Sequence, residues 1–194
     1  LVLADLIAED IDAHPVATIM RAWALVAKGQ GPAGLSHLIQ SSNTNISGNK
    51  SVPAIFTMQA ARMADYLGDI EEMLKLADQL FKRSDLSSQL LLQLANLYAR
   101  HNKNIKLRQL IAQLPNGFNK TKIRKVLSHQ TTSPKIAHHI AAGIIDASLI
   151  ANQSKNDNML KARLGLALYL DPQSERARFL IAQALSEINQ TQSA

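Results

Sequence analysis

The residues most able to carry chemistry in this chain are a pair of adjacent histidines and one aspartate. His138 and His139 are neighbours, and Asp146 follows seven residues after His139. On a helix, neighbouring side chains point about 100° apart, so the two histidines do not face one ion, whereas His139 and Asp146 share a face. Two ligands are too few for a closed zinc site. The sequence therefore predicts neither a metal site nor a cofactor.

Other catalytic or phosphate-binding patterns are also missing from the sequence. Residues 48–51 read Gly-Asn-Lys-Ser, but they lack the adjacent Gly-Lys pair and the preceding strand of a phosphate-binding loop. There is no Cys, which excludes disulfides, thiolate ligands and a cysteine nucleophile. No nucleophile, base and orienting group stand at a recognisable spacing, so we expect a protein that is not an enzyme.

Charge is unevenly distributed along the chain. Residues 1–85 contain 7 Lys or Arg and 10 Asp or Glu, whereas residues 86–145 contain 9 Lys or Arg and no acid. Residues 146–194 contain 5 of each sign, and the whole chain has a formal net charge of +6. This asymmetry favours an anionic partner. It also allows self-association, in which the acidic first part of one molecule meets the basic middle of another.

Seven cations of the acid-free middle form a candidate basic patch, namely Lys103, Lys106, Arg108, Lys120, Lys122, Arg124 and Lys125. Such a patch could bind the phosphates of a nucleic acid or the carboxylates of an acidic protein. A solvated basic face without a specific partner is the simpler interpretation. Because no nucleic-acid reader motif accompanies the charge, we place a nucleic acid behind a protein as the expected partner.

The elements that would position these residues are predicted to be helices. Apolar residues make up 46% of the chain and aromatic residues only 4%, a mixture that suits helices packed closely on small residues. Apolar residues recur at helical spacing, and no segment keeps the alternation of a strand for long. No run of 18 apolar residues occurs, so we expect no transmembrane segment.

Capping and turn residues predict where several helices begin and end. Asp69, with Glu72 three residues later, predicts the start of a helix over 70–81. Asp85 is the predicted cap of a helix over 86–101, and Asp171 with Pro172 is the predicted start of the last helix. Gly68 and Asn102 occupy corresponding turns 34 residues apart, so a helix, a tight turn and a second helix repeat at that period.

This pattern resembles the tetratricopeptide repeat family. Small residues that would let paired helices approach occur at Ala61, Ala95 and Ala182, and the Leu170-Asp171-Pro172 joint matches the end of a repeat. The order of the segments is similar to a group of bacterial tetratricopeptide proteins, a similarity carried by residues 21–25, 94–101 and 166–172. The resemblance implies a right-handed superhelix of antiparallel helix hairpins, a soluble protein, and a bacterial cytoplasm or periplasm as the compartment.

The resemblance also divides the chain into repeats within one helical domain. Residues 1–14 would be the end of a truncated preceding repeat, and residues 115–133 an irregular connector. The expected hairpins and the C-terminal helix occupy residues 15–51, 52–84, 85–114, 134–171 and 172–194.

In such a superhelix, the first helices of successive hairpins line a concave groove that binds an extended peptide or a partner helix. The candidate groove residues are Trp23, Arg62, Tyr66, Asn96, Arg100 and Asn152. Arg62 and Arg100 would grip a carboxylate, and Asn96 would hydrogen-bond a peptide backbone. The alternative is that they are ordinary polar surface, with Trp23 in the core. We therefore expect a scaffold for a protein partner, which the basic middle would select as acidic.

Overall fold

The computed structural model describes residues 15–43, 51–115, 120, 135–151 and 157–192, and this part of the chain is all-helical. The predicted all-α class is confirmed, since no described residue lies in a strand. Nine helices are present in these ranges: α1 (Pro15–Ala27), α2 (Gly31–Asn43), α3 (Ser51–Leu67), α4 (Ile70–Phe81), α5 (Ser88–Arg100), α6 (Asn104–Gln113), α7 (Ile136–Ala151), α8 (Asp157–Leu170) and α9 (Glu175–Gln192). The predicted repeat remnant over 1–14 and almost all of the connector over 115–133 lie outside the described residues.

The contacts divide the chain into two compact units. Residues 1–37 and 135–194 form the first unit, and residues 38–134 form the second. In the first unit α1 packs on α7, α7 on α8 and α8 on α9. In the second unit α3 packs on α4 and α5 on α6, and both α3 and α4 also contact α5. None of the described helices is long and apolar enough to cross a membrane.

The contact between α1 and α7 is the main departure from the predicted architecture. In a linear repeat array each repeat contacts only its neighbours. Here α1 packs on a helix far away in sequence, and the contact is aromatic. The ring of Trp23, which is fully buried, stacks on that of His139 with centroids 4.9 Å apart and planes inclined by 16°. Burial of this pair ties the two sequence segments of the first unit together.

Three helices end in the same way. α1, α3 and α5 are followed by a residue with positive φ, which is Gly29 (78°), Gly68 (80°) or Asn102 (56°). The next N–H donates to the carbonyl five residues earlier: Gln30 to Leu25 at 2.9 Å, Asp69 to Ala64 at 2.9 Å, and Lys103 to Tyr98 at 2.8 Å. This is the Schellman arrangement, which satisfies carbonyls at a helix end. The structural equivalence of Gly68 and Asn102, predicted from their spacing, is confirmed.

The start of α4 follows the sequence closely. The Asp69 carboxylate accepts a hydrogen bond from the Glu72 N–H at 3.1 Å, and the helix spans the predicted residues 70–81. Its buried side chains follow helical spacing and are Met73, Leu76, Ala77 and Leu80. Both the cap and the apolar stripe are local signals, so this helix could be predicted without knowledge of its neighbours.

Two predicted caps are wrong. Ser87, and not Asp85, caps α5, because its hydroxyl accepts the Leu90 N–H at 3.3 Å. Asp85 instead receives two hydrogen bonds from Arg83, at 2.9 and 2.7 Å.

The start of the last helix is displaced in the same manner. The Ser174 hydroxyl accepts the Ala177 N–H at 3.3 Å, while the Asp171 carboxylate accepts the Gln173 N–H at 3.2 Å. The helix therefore begins after the Asp-Pro joint, at Glu175. In each case the aspartate forms a local turn or ion pair, and a serine nearer the helix supplies the cap.

The two described glycines without steric neighbours give a matched test of these turns. A Cβ at Gly68 or Gly165 would contact nothing within 4 Å, but only Gly68 has positive φ. We expect Gly68→Ala to lower the free energy of unfolding by about 1 kcal/mol, because an L-residue is strained there. Gly165→Ala, within α8, should raise it by about 0.5–1 kcal/mol. Urea unfolding of both variants checks this, and equal effects would contradict it.

Candidate functional site

A buried carboxylate joins α3 to the end of α5 in the second unit. The Arg100 guanidinium donates a hydrogen bond to Oδ2 of Asp65, and Nε2 of His101 lies 2.6 Å from Oδ1 of the same carboxylate. The side chains of Asp65 and Arg100 are only 5% and 9% exposed. This cluster therefore has little access to solvent, and its charges compensate each other within the fold.

A second carboxylate joins α4, α5 and α6. Asp78 accepts a hydrogen bond from the Tyr98 hydroxyl at 2.6 Å and another from the Lys106 ammonium. The Lys106 nitrogen also lies 5.5 Å from the centre of the Tyr98 ring, a cation–π distance. Phe81 meets the same ring edge-on, with centroids 6.4 Å apart. One aromatic side chain thus connects three helices through its ring and its hydroxyl.

The ionisation of this second cluster is set by burial and by its hydrogen bonds. Burial opposes the charged form of Asp78, but hydrogen bonds from Lys106 and Tyr98 and the nearby cations Lys106 and Lys82 together lower the pKa of Asp78 below 3.8. Burial, and then the contact with Asp78, raises the pKa of Tyr98 far above its usual range. Asp78 is therefore a carboxylate and Tyr98 a neutral donor at neutral pH.

The structure separates the six predicted groove residues into different environments. Trp23 is fully buried and stacked on His139, so it has no surface available to a partner. Arg100 is engaged by Asp65, which occupies the carboxylate-binding role expected of a ligand. Asn152 lies outside the described residues.

Three groove residues remain together on the pair α3 and α5. Arg62 and Tyr66 lie one turn apart on α3, where Arg62 is half-buried and the Tyr66 residue is 38% exposed. Asn96 lies one turn before Arg100, which reaches α3, so its stripe borders the same helix. The Asn96 Oδ1 atom is buried and has no hydrogen-bond partner in the described part of the chain. We call Arg62, Tyr66 and Asn96 the α3–α5 surface.

The predicted basic patch is also divided. Lys103 and Arg108 are exposed, whereas Lys106 is bound to Asp78 and Lys120 donates to the Ala112 carbonyl at 3.1 Å. The remaining three members, Lys122, Arg124 and Lys125, lie outside the described residues. Of the four described members, two are therefore positioned on or near α6 to meet an external anion.

The histidine pair and Asp146 form no common site. His138 Nε2 lies 3.4 Å from an Asp171 oxygen, and His139 stacks on Trp23. Asp146 instead accepts a hydrogen bond from Arg176 at 2.6 Å. Across the described ranges, no three His, Asp or Glu side chains are grouped so as to hold a metal ion.

Sequence reasoning did not single out Asp65 or Asp78, although these residues organise the clusters. A usable signal exists, because their cationic partners Arg100 and Lys106 lie 35 and 28 residues later, near one repeat length. An acid in one hairpin and a base near the corresponding place of the next is thus a readable pairing.

Scans against protein-family models, curated protein sequences and solved structures return no significant match to this chain. Its function must therefore be inferred from its own residues and their arrangement.

The buried pair gives the first prediction at this site. We expect Asp65→Ala to lower the free energy of unfolding by about 3–5 kcal/mol, because it leaves the Arg100 charge buried and uncompensated. The control is Glu72→Gln, which disrupts the more exposed pair with Lys75 and should cost at most about 1 kcal/mol. Urea unfolding of the two variants would contradict this expectation if their losses were similar.

The second cluster predicts a pH-dependent contribution to stability. Because the folded-state pKa of Asp78 is lowered, its ionised form stabilises the fold above the unfolded-state pKa, and this contribution is lost as the pH falls through the folded-state value. The difference in unfolding free energy between the wild type and Asp78→Asn should therefore be largest near about pH 6 and shrink towards about pH 2.

Urea titrations of both proteins at the two pH values would measure this difference. The control is Glu71→Gln, which removes an exposed acid that forms no ion pair within the described residues. A difference for Asp78→Asn that stays constant with pH would contradict the prediction.

Proposed function

We propose that this protein is a non-enzymatic protein–protein interaction module built from tetratricopeptide-like helix hairpins. Its α3–α5 surface binds a peptide or helix of an acidic partner protein. The observation that supports this proposal most directly is the packing of α3 on α5. These are the first helices of two consecutive hairpins, and contacts between such helices create the extended binding surface of helical-repeat proteins.

The repeated geometry of the two hairpins supports their assignment to this repeat class. Ala61 and Ala95 are both buried and lie 34 residues apart, as do the left-handed turn positions Gly68 and Asn102. A period of 34 residues with a helix, a tight turn and a second helix is that of the tetratricopeptide repeat. For α3 to α6 we therefore propose right-handed superhelical stacking, whereas the α1–α7 contact belongs to a different kind of packing.

The side chains of the α3–α5 surface suit a peptide ligand. Arg62 presents a planar guanidinium that fits a carboxylate, and Tyr66 offers an exposed ring with a polar tip. The Asn96 amide can exchange hydrogen bonds with a peptide backbone, which would satisfy its buried oxygen. Arg100 stabilises the surface from below through Asp65 and does not contact the ligand.

A variant experiment on a captured partner tests this proposal. The full chain would be used to capture proteins from a lysate of its source cells, with and without nuclease, and the recovered partner would be titrated against variants. We expect Arg62→Ala combined with Tyr66→Ala to weaken binding about tenfold or more, because Arg and Tyr dominate binding energy at interfaces. Lys103→Ala combined with Arg108→Ala is the matched control and should change the affinity only slightly.

Circular dichroism would show that both double variants remain folded. An unchanged affinity of the α3–α5 variant would overturn the proposal. Arg100→Ala is not a suitable test, because it breaks the buried pair with Asp65.

A second candidate function is binding of nucleic acid by the basic region over 100–135. It is favoured by the exposure of Lys103 and Arg108 and by the absence of any acid over 86–145. In that case nuclease would abolish capture, binding would fall steeply with salt, and the Lys103 and Arg108 variant would be the one that fails.

A further inference from the structure

A cleft of about 540 Å³ opens in the second unit, where the end of α4, the start of α5 and the end of α6 converge. It shares no residue with the α3–α5 surface. Its apolar lining consists of Phe81, Leu86, Leu91 and Pro115, and its polar lining consists of Lys82, Arg83, Ser84, Ser88 and Gln113. The volume falls within the range of sites that take small ligands, and the mixture of apolar walls and a few polar groups is typical of them.

The polar side of the cleft is positively charged. No carboxylate belongs to the lining, and Lys82 is exposed and forms no ion pair within the described residues. Arg83 is held in place by its two hydrogen bonds to Asp85, which is the only acid between residues 79 and 115. Asp78, one turn before Lys82, is already engaged by other side chains. One lysine charge is therefore left for a ligand.

The rest of the lining restricts the ligand further. The hydroxyls of Ser84 and Ser88 and the amide of Gln113 can donate hydrogen bonds to oxygen atoms. Phe81 is half-buried and Leu91 is 8% exposed, so an apolar group entering the cleft would cover surface that is still partly in contact with water. A single negative charge next to a compact apolar body fits these features.

We propose that this cleft binds a carboxylate joined to an apolar body about the size of a leucine side chain. Lys82 meets the carboxylate, the serine hydroxyls donate to it, and Phe81 with Leu91 covers the apolar part. The same chemistry occurs at the C-terminal residue of a peptide and in a free N-acyl amino acid. The site is independent of the α3–α5 surface, so neither proposal depends on the other.

Chemical-shift titration of the ¹⁵N-labelled full chain tests the site directly. The probes are N-acetyl-leucine and its neutral analogue N-acetyl-leucinamide, which share one apolar body, together with acetate, which has the charge alone. We expect N-acetyl-leucine to shift the amide signals of Ser84, Ser88 and Gln113 and to bind at least about fivefold more tightly than either other probe. Acetyl-Ala-Ala-Leu with a free C-terminus then distinguishes the sources, since only a peptide site would bind it as tightly as N-acetyl-leucine.

Two surface variants complete the test. Lys82→Gln should weaken binding of N-acetyl-leucine about fivefold and leave the amide probe unaffected, whereas Lys103→Gln, an exposed lysine outside the lining, should change neither. Equal binding of acid and amide, equal behaviour of the two variants, or shifts confined to residues outside the cleft would each overturn the proposal.

Discussion

The buried carboxylate of Asp65 is the constraint on which the second unit depends. A charge removed from water must be compensated, and the compensation comes from Arg100 and His101 at the end of α5. Cations are favoured there in any case, because the helix dipole is negative at the C-terminus. The left-handed turn at Asn102 follows immediately, so the same few residues fix α5 against α3 and set the point from which α6 starts.

The Asp78 cluster fixes the other side of the same hairpin. Tyr98 is fully buried, yet its hydroxyl reaches Asp78 on α4 and its ring carries Lys106 of α6. The two acids therefore bind α5 from both neighbouring helices. This arrangement also explains why cations that are numerous in the sequence are fewer at the surface: Arg100 and Lys106 serve the fold, and Lys103 and Arg108 are left exposed.

Local signals were sufficient for much of the fold. The start of α4 and its bounds, and the equivalence of Gly68 and Asn102, depend on a cap, an apolar stripe and a turn, all of which lie within one short segment. The caps at Ser87 and Ser174 were missed because a nearby aspartate satisfies the same composition rule, and only the hydrogen-bond geometry chooses between them. The contact of α1 with α7 could not be predicted, since both are apolar helices whose pairing depends on tertiary fit.

The candidate sites were less predictable for a related reason. A groove assignment from helical periodicity places Trp23 and Arg100 on a surface, but periodicity does not reveal that a histidine or an aspartate from another helix covers them. The cleft beside Lys82 arises where three helix ends meet. No spacing in the sequence reports such a convergence.

The stacking of Trp23 on His139 has a consequence for how the protein can be observed. Trp23 is the only tryptophan of the chain, and it lies in the first unit. Its fluorescence therefore reports the environment of α1 and α7, whereas circular dichroism reports the helices of both units. Denaturation curves from the two signals coincide when the units unfold together and separate when they do not. The chain thus carries an intrinsic probe of whether its two units behave as one cooperative body.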